Sequence, residues 1–238
     1  MKRLIKLQVR NIFHNKLIYV CIGINSLLGV GFDIITMMFS KTAELSLAMP
    51  KVLATFESGV GILEMIFITI FCTFDFSEGT TKNIIGRGYT KTQLLMSKYI
   101  ASLFGVLTMI CVMALTEFIV FIKNGFGYED YMLISVVVHL FGIVAYTVLY
   151  GTIAFSLEKT SSAIIANMFA PNVIRIALSI ADSNLKTNFG EYWIDSVTKT
   201  FLDKPTFVNS LFPIGMYVAY ILVIAFIGMH IAKNKEIK

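Results

Sequence analysis

DFSEGTTKNIIGRGYTKTQLLMSK, residues 75–98, is a polar island with long apolar runs on either side. Its glycines, lysines and threonines share the composition of a phosphate-binding loop. Such a loop requires G-x-x-x-x-G-K-[ST], in which glycine amides cradle phosphate and the lysine reaches the outer phosphates. Alignment on Lys91 and Thr92 puts Ile85 and Thr90 at the two glycine positions. Both glycines are missing, and the preceding run reads as a membrane helix instead of the soluble strand that such a loop follows. Nucleotide binding by this stretch is thereby excluded, and the island reads as a connection between two membrane spans.

Composition agrees with that setting. Of 238 residues, 56% are apolar and 15% charged, against about 45–50% and 25% in soluble domains. The mean hydropathy is +0.76, and the chain reads as an integral membrane protein. Cys21, Cys72 and Cys111 all fall in apolar runs, form no spaced framework, and read as small packing residues. His14, His139 and His230 are scattered singly, without metal-ligand spacing, so no metal site is expected. The net charge of +5 reads as a record of orientation in the bilayer, not as a nucleic-acid footprint.

Six apolar runs are long enough to cross the membrane: about 17–40, 58–76, 94–122, 131–157, 161–181 and 207–232. With the N-terminus inside, the cytoplasmic side carries Lys2, Arg3, Lys6, Arg10, Lys16, Lys82, Arg87, Lys91, Lys98, Lys159, Lys233, Lys235 and Lys238. The outer side carries Lys41, Lys51, Lys123, Lys186, Lys199 and Lys204. This bias predicts both termini in the cytoplasm. The first run is longer than the 7–15 residues of a signal-peptide core and lacks an A-x-A site, so it is expected to stay in the mature protein. Upstream of it, residues 1–16 set Leu4, Leu7 and Ile12 among basic residues, the pattern of a helix lying in the inner interface. Between the last two spans, Phe189, Trp193, Val197 and Phe201 recur every four residues, predicting a short outer amphipathic helix ended by Pro205. No repeat or linker divides the chain, so residues 1–238 read as one all-α membrane domain.

Local signals inside the island are dense. Thr90 and Gln93 form a capping box, and Tyr89 and Leu94 stand at the positions of a hydrophobic staple, so a span starts here. Before it, Thr80 to Ile85 predict a short helix closed by Gly86, with Gly88 as a second turning point. The expected product is a rigid basic knob that exposes Glu78, Lys82, Asn83, Arg87 and Lys91. The alternative is an ordinary capped loop whose lysines and arginines meet lipid phosphates.

The island resembles the first cytoplasmic loop of ABC-2 type transporter permeases, especially the small six-span subunits of bacterial peptide, bacteriocin and antibiotic exporters and self-immunity systems. The matching residues are Glu78-Gly79-Thr80, Lys82-Asn83, Arg87, Thr90-Lys91 and Lys98. The basic N-terminal elbow, the six spans and the longer outer segment before the last span extend the likeness more loosely. The resemblance implies a coupling helix at about 78–92 that docks on an ATPase subunit of a separate chain. ATP and Mg would be bound there, and this chain would carry no cofactor. It also implies a transport path shared with a second permease copy or a related permease.

Asp33, Glu64, Glu117 and Arg175 lie within apolar runs, where each charge costs about 2.5–3.5 kcal/mol to insert and therefore faces protein or water. Under the predicted topology all four fall in the outer half of the membrane. There they read as a translocation path or outer gate, with Arg175 pairing to Glu64 or Glu117. The alternative is that they snorkel to the outer headgroups or settle an interhelical hydrogen bond. Pro171, flanked by Asn167 and Asn172, predicts a kink or break in the fifth span. An intramembrane enzyme would need facing catalytic groups, and His139, Glu64 and Glu117 lack motif partners. A secondary transporter would show two halves with matching interruptions, and Pro171 has no counterpart in the first three spans. The expected function is therefore a non-catalytic export permease for peptides or amphipathic antibiotics in the bacterial cytoplasmic membrane. An autonomous secondary transporter or a membrane scaffold is the alternative.

Overall fold

The computed structural model describes residues 1–39, 61–122, 132–194, 196–197 and 207–235; for 32–39, 116–122 and 132–133 it describes the backbone alone. Eight α-helices make up the described chain: α1 (Lys2–His14), α2 (Lys16–Phe39), α3 (Gly61–Ser77), α4 (Thr80–Gly86), α5 (Lys91–Ile122), α6 (Met132–Leu157), α7 (Thr160–Leu185) and α8 (Phe207–Asn234). No strand occurs among the described residues. Four stretches are long and apolar enough to span a bilayer: Lys91–Leu115, Ile134–Leu157, Thr160–Leu185 and Phe207–Asn234. The pair α1–α2, bent by 61°, passes the same test when taken together. The described part of α3 is 17 residues long.

α1 forms because Leu4, Gln8 and Ile12, spaced by four, share one face and are buried, with α5 and α2 as its neighbours. Leu7 is 40% exposed. Asn15 then takes extended backbone. Its Oδ1 accepts the Leu17 N–H at 2.9 Å, which supplies one of the orphan donors at the start of α2 and fixes the bend.

α6 is the central helix, in contact with α3, α5, α7 and α8. Three apolar clusters stack along it. The one toward the island joins Leu4 of α1, Ile84 of α4, Leu94, Leu95 and Tyr99 of α5, Val148 and Phe155 of α6, and Ala232 of α8. The middle one centres on Phe67, Ile68, Phe71 and Cys72 of α3 with Met109 and Met113 of α5. The far one joins Val138, Ala145 and Tyr146 of α6 to Ile194, Val197 and Tyr217. Close approach sets the helix spacing at three glycines. A Cβ at Gly105 would meet the Phe67 ring, at Gly151 the Tyr99 ring, and at Gly228 the Tyr99 hydroxyl. Of the three cysteines, Cys21 and Cys72 are buried packing residues, whereas Cys111 is exposed.

The segment after α7 departs from the expected amphipathic helix up to Trp193, beyond which the Val197 N–H bonds to the Trp193 carbonyl at 3.1 Å as in a helix. α7 runs on to Leu185, and Lys186 takes left-handed backbone. Asp182 then gathers the chain: its Oδ1 accepts Thr187 Oγ1 and the Phe189 N–H at 2.9 and 2.6 Å, and its Oδ2 accepts the Gly190 N–H at 2.7 Å. A 3-10 turn follows over Phe189–Tyr192, and Trp193 is extended, so no single helix carries Phe189, Trp193 and Val197. Phe189 is exposed, while Ile194 and Val197 are buried against Tyr217 and Tyr146. Trp193 stacks edge-on with Tyr220 at 6.2 Å. The period of four is shared by a turn and a core contact, which the sequence pattern does not separate. Phe201 and Pro205 lie outside the described residues.

Candidate functional site at the polar island

The capping box forms as its residues dictate. The Thr90 N–H donates to Gln93 Oε1 at 3.1 Å, and the Gln93 N–H donates to Thr90 Oγ1 at 3.2 Å. Tyr89 and Leu94 belong to the same apolar cluster. α4 runs one residue further than expected and ends on Gly86, which stays helical. The left-handed glycines are Gly79, at φ 66°, and Gly88, at φ 87°. The turn that closes the knob is therefore made by Gly88, because the Arg87 N–H still finds the Asn83 and Ile84 carbonyls and the helix has not yet ended.

Glu78, Gly79, Lys82, Asn83 and Arg87 are exposed, while Thr81 and Ile84 are buried. α4 thus presents a charged face outward and plants its other face in the apolar cluster. Thr80 links it to α3: its Oγ1 donates to Asp75 Oδ1 at 2.9 Å. Asp75 Oδ2 in turn meets Lys98 Nζ of α5 at 2.7 Å and accepts Gln8 Nε2 of α1 at 2.9 Å. Lys98 also donates to the Phe71 carbonyl at 2.8 Å and lies 4.2 Å from the centre of the Phe71 ring. Asp75 and Lys98 are 4% and 1% exposed. The burial is tolerated because the charges compensate each other and further hydrogen bonds fill their remaining valences. One carboxylate thereby joins α1, α3, α4 and α5.

A second ionic contact lies beside the first. Lys235, just past α8, bridges Glu158 at 3.2 Å and donates to the Phe155 and Ser156 carbonyls at 2.7 and 2.6 Å. It satisfies the carbonyl end of α6, where a cation also opposes the helix dipole. Burial pushes the Lys235 ammonium below the usual lysine range, while Glu158 pulls it back up. Lys91, expected to be exposed, is half-buried and donates from Nζ to the Lys235 carbonyl. It ties the start of α5 to the end of α8.

Of the four charges in apolar runs, the side chains of Glu64 and Arg175 are described. Glu64 is buried and accepts from Thr147 Oγ1 at 3.5 Å. Thr147 lies well inside α6 (Met132–Leu157), about 15 Å from its island end at 1.5 Å per residue. Glu64 itself lies in the first turn of α3, about 20 Å from that helix's island end. Arg175 is exposed on α7, and among the described residues no ion pair joins it to Glu64. The side chains of Asp33 and Glu117 lie outside the described residues. Near Pro171, Asn167 is buried and donates from Nδ2 to Thr69 Oγ1 at 2.7 Å and to the Tyr150 carbonyl at 3.2 Å. This anchors α7 to α3 and α6 one turn before the proline. His139 is buried, with Nδ1 on the Ser135 carbonyl at 2.7 Å.

Sequence reasoning missed Asp75 and Gln8. The available signal was an acid at the very end of an apolar run, bracketing the island with Lys98. No family model matches this chain, and no curated protein matches it.

Proposed function

We propose that the chain is the six-span permease subunit of an ABC-2 type exporter in a bacterial cytoplasmic membrane, with both termini in the cytoplasm. It pairs with a second permease copy or a related one and moves peptides or amphipathic antibiotics. An ATPase on a separate chain drives it, and the knob α4 with Glu78, Lys82, Asn83 and Arg87 is where that subunit docks.

The observation that carries this reading is the attachment of α4. An exposed charged face is fastened by Thr80 and Asp75 to α1, α3 and α5 at once, and by Ile84 to the apolar cluster beneath. A partner that pushes on such a knob displaces membrane helices, whereas a loop that merely joins two spans needs no such fastening. Buried Glu64 and the Asn167–Thr69 contact give the bundle interior polar groups, beside which a path for amphipathic cargo would run.

The test is affinity purification from the native membrane, followed by identification of retained proteins. A P-loop ATPase should be retained, and Glu78→Ala with Arg87→Ala should release it while Lys2→Ala should not. Labelling of cysteines introduced at 78, 82 and 87 by an impermeant reagent added outside intact cells would overturn the topology and the reading with it.

A further inference from the structure

The bend between α1 and α2 encloses a cleft of about 450 Å³ that the knob does not use. It is lined by Gln8, Asn11, His14, Asn15 and Lys16 on the elbow side, and by Phe71, Phe74, Asp75 and Lys98 on the other. Asp75 is the one acid among these residues, and Lys98 already neutralises it at 2.7 Å. What remains is cationic and donor-rich. Lys16 is exposed and enters no ion pair among the described residues. Asn15 spends its Oδ1 on the Leu17 N–H, which leaves its Nδ2 as a donor. Asn11 is exposed and adds a second amide.

The cleft lies where the chain turns from α1 into α2, which the topology proposed above puts at headgroup depth. Above it the surface becomes apolar along one helix face. Lys16, Val20, Ile24 and Leu27 follow one another at spacings of four, four and three, and Val20, Ile24 and Leu27 are 55%, 40% and 76% exposed. Phe74, at the opposite wall, is 42% exposed. A cationic, amide-bearing cleft that opens onto an apolar stripe matches an anion that carries hydrocarbon chains.

We propose that this cleft is a binding site for an anionic phospholipid of the adjoining leaflet. Its phosphodiester is held by Lys16, Asn11 and Asn15, and its acyl chains lie along Val20, Ile24 and Leu27. A lysine beside an anionic headgroup, with amide donors fixed around it, holds a phosphate in place where an isolated surface lysine would only attract it. The site needs only the membrane setting and stands whether or not α4 docks an ATPase.

Native mass spectrometry of the detergent-solubilised full chain tests this, with phosphatidylglycerol, phosphatidylcholine and inorganic phosphate added in separate titrations. Phosphatidylglycerol should bind with one preferred site, and Lys16→Glu should weaken it roughly tenfold, through loss of one attraction and gain of one repulsion. Lys2→Glu, which alters an exposed lysine outside the cleft, should leave it within about twofold, as expected of a distant screened charge. Size-exclusion profiles of both variants serve as the check that each is folded. Equal retention of the two lipids, equal weakening by Lys2→Glu and Lys16→Glu, or full displacement of the lipid by inorganic phosphate would each overturn the proposal. The last outcome would mark a small-anion site.

Discussion

Asp75 and Lys98, the first and last residues of the polar island, close on each other as a buried ion pair of 2.7 Å. The helix ends that the island connects are thus clamped by the island's own termini. Removing one partner strands a buried charge, which costs about 3–5 kcal/mol, whereas replacing both with groups of similar volume is close to neutral. Lys98→Met should therefore lower the melting temperature in detergent sharply. Asp75→Asn combined with Lys98→Met should recover most of the loss. Additive losses in the double variant would show that the two residues do not act as a pair.

The three island glycines should separate cleanly by backbone conformation. Gly79 and Gly88 have φ of 66° and 87°, so alanine there should cost about 1–2 kcal/mol from the left-handed backbone. Gly86 is helical and a Cβ on it meets nothing within 4 Å. Gly86→Ala should be neutral or stabilise by up to about 1 kcal/mol, since alanine is the better helix former. Thermal unfolding of the three variants decides it. If Gly86→Ala proved the most damaging of the three, the knob would close at Gly86 after all.

α8 crosses α5 and α6 closely at Gly228. A Cβ there would press on the Tyr99 hydroxyl and stand 3.1 Å from Thr152 Oγ1, the two atoms that share a hydrogen bond of 2.6 Å. Gly228→Ala should destabilise the bundle by about 1–3 kcal/mol, as overpacking does. Tyr99→Phe removes the obstructing oxygen, so its penalty and that of Gly228→Ala should be less than additive in a double-mutant cycle read by unfolding. Full additivity would mean that α8 moves away and leaves the tyrosine untouched.

Local chemistry was legible in the sequence where it is short-range. The Thr90–Gln93 box, the helix at Thr80 and the apolar runs of α5 to α8 depend on residues within a few positions of each other, and all appear in the fold. The Asp75–Gln8 bond joins residues from different helices, and no pattern within either helix announces it. The contact of Glu64 with Thr147 likewise joins two helices, and neither run announces it. The pairing of Arg175 with Glu64 or Glu117 rests on similar depth alone, and the Glu117 side chain lies outside the described residues. Depth does not fix the face of a helix, and Arg175 faces outward. Asp182 folds residues 187–190 into a turn that sets Phe189 apart, whereas the Val197 N–H reaches the Trp193 carbonyl at 3.1 Å with helical spacing.

Thr80 is the link that distinguishes a wired knob from a loose one. Its hydroxyl donates to Asp75 Oδ1 at 2.9 Å, and valine has the same shape without the donor. Thr80→Val should cost about 1.5–3 kcal/mol locally, the range for a hydrogen bond to a charged group, without exposing apolar surface. Amide hydrogen exchange over residues 80–86 should speed up by at least about tenfold, the kinetic equivalent of 1.4 kcal/mol, while exchange in α6 stays unchanged. In the proposed exporter the docking face of α4 is intact in this variant, so the ATPase should still copurify. ATP-driven transport should fall because the push no longer reaches Asp75. Unaltered exchange over residues 80–86 would show that the Thr80–Asp75 bond does not hold the knob, and the fastening would then rest on Ile84 alone.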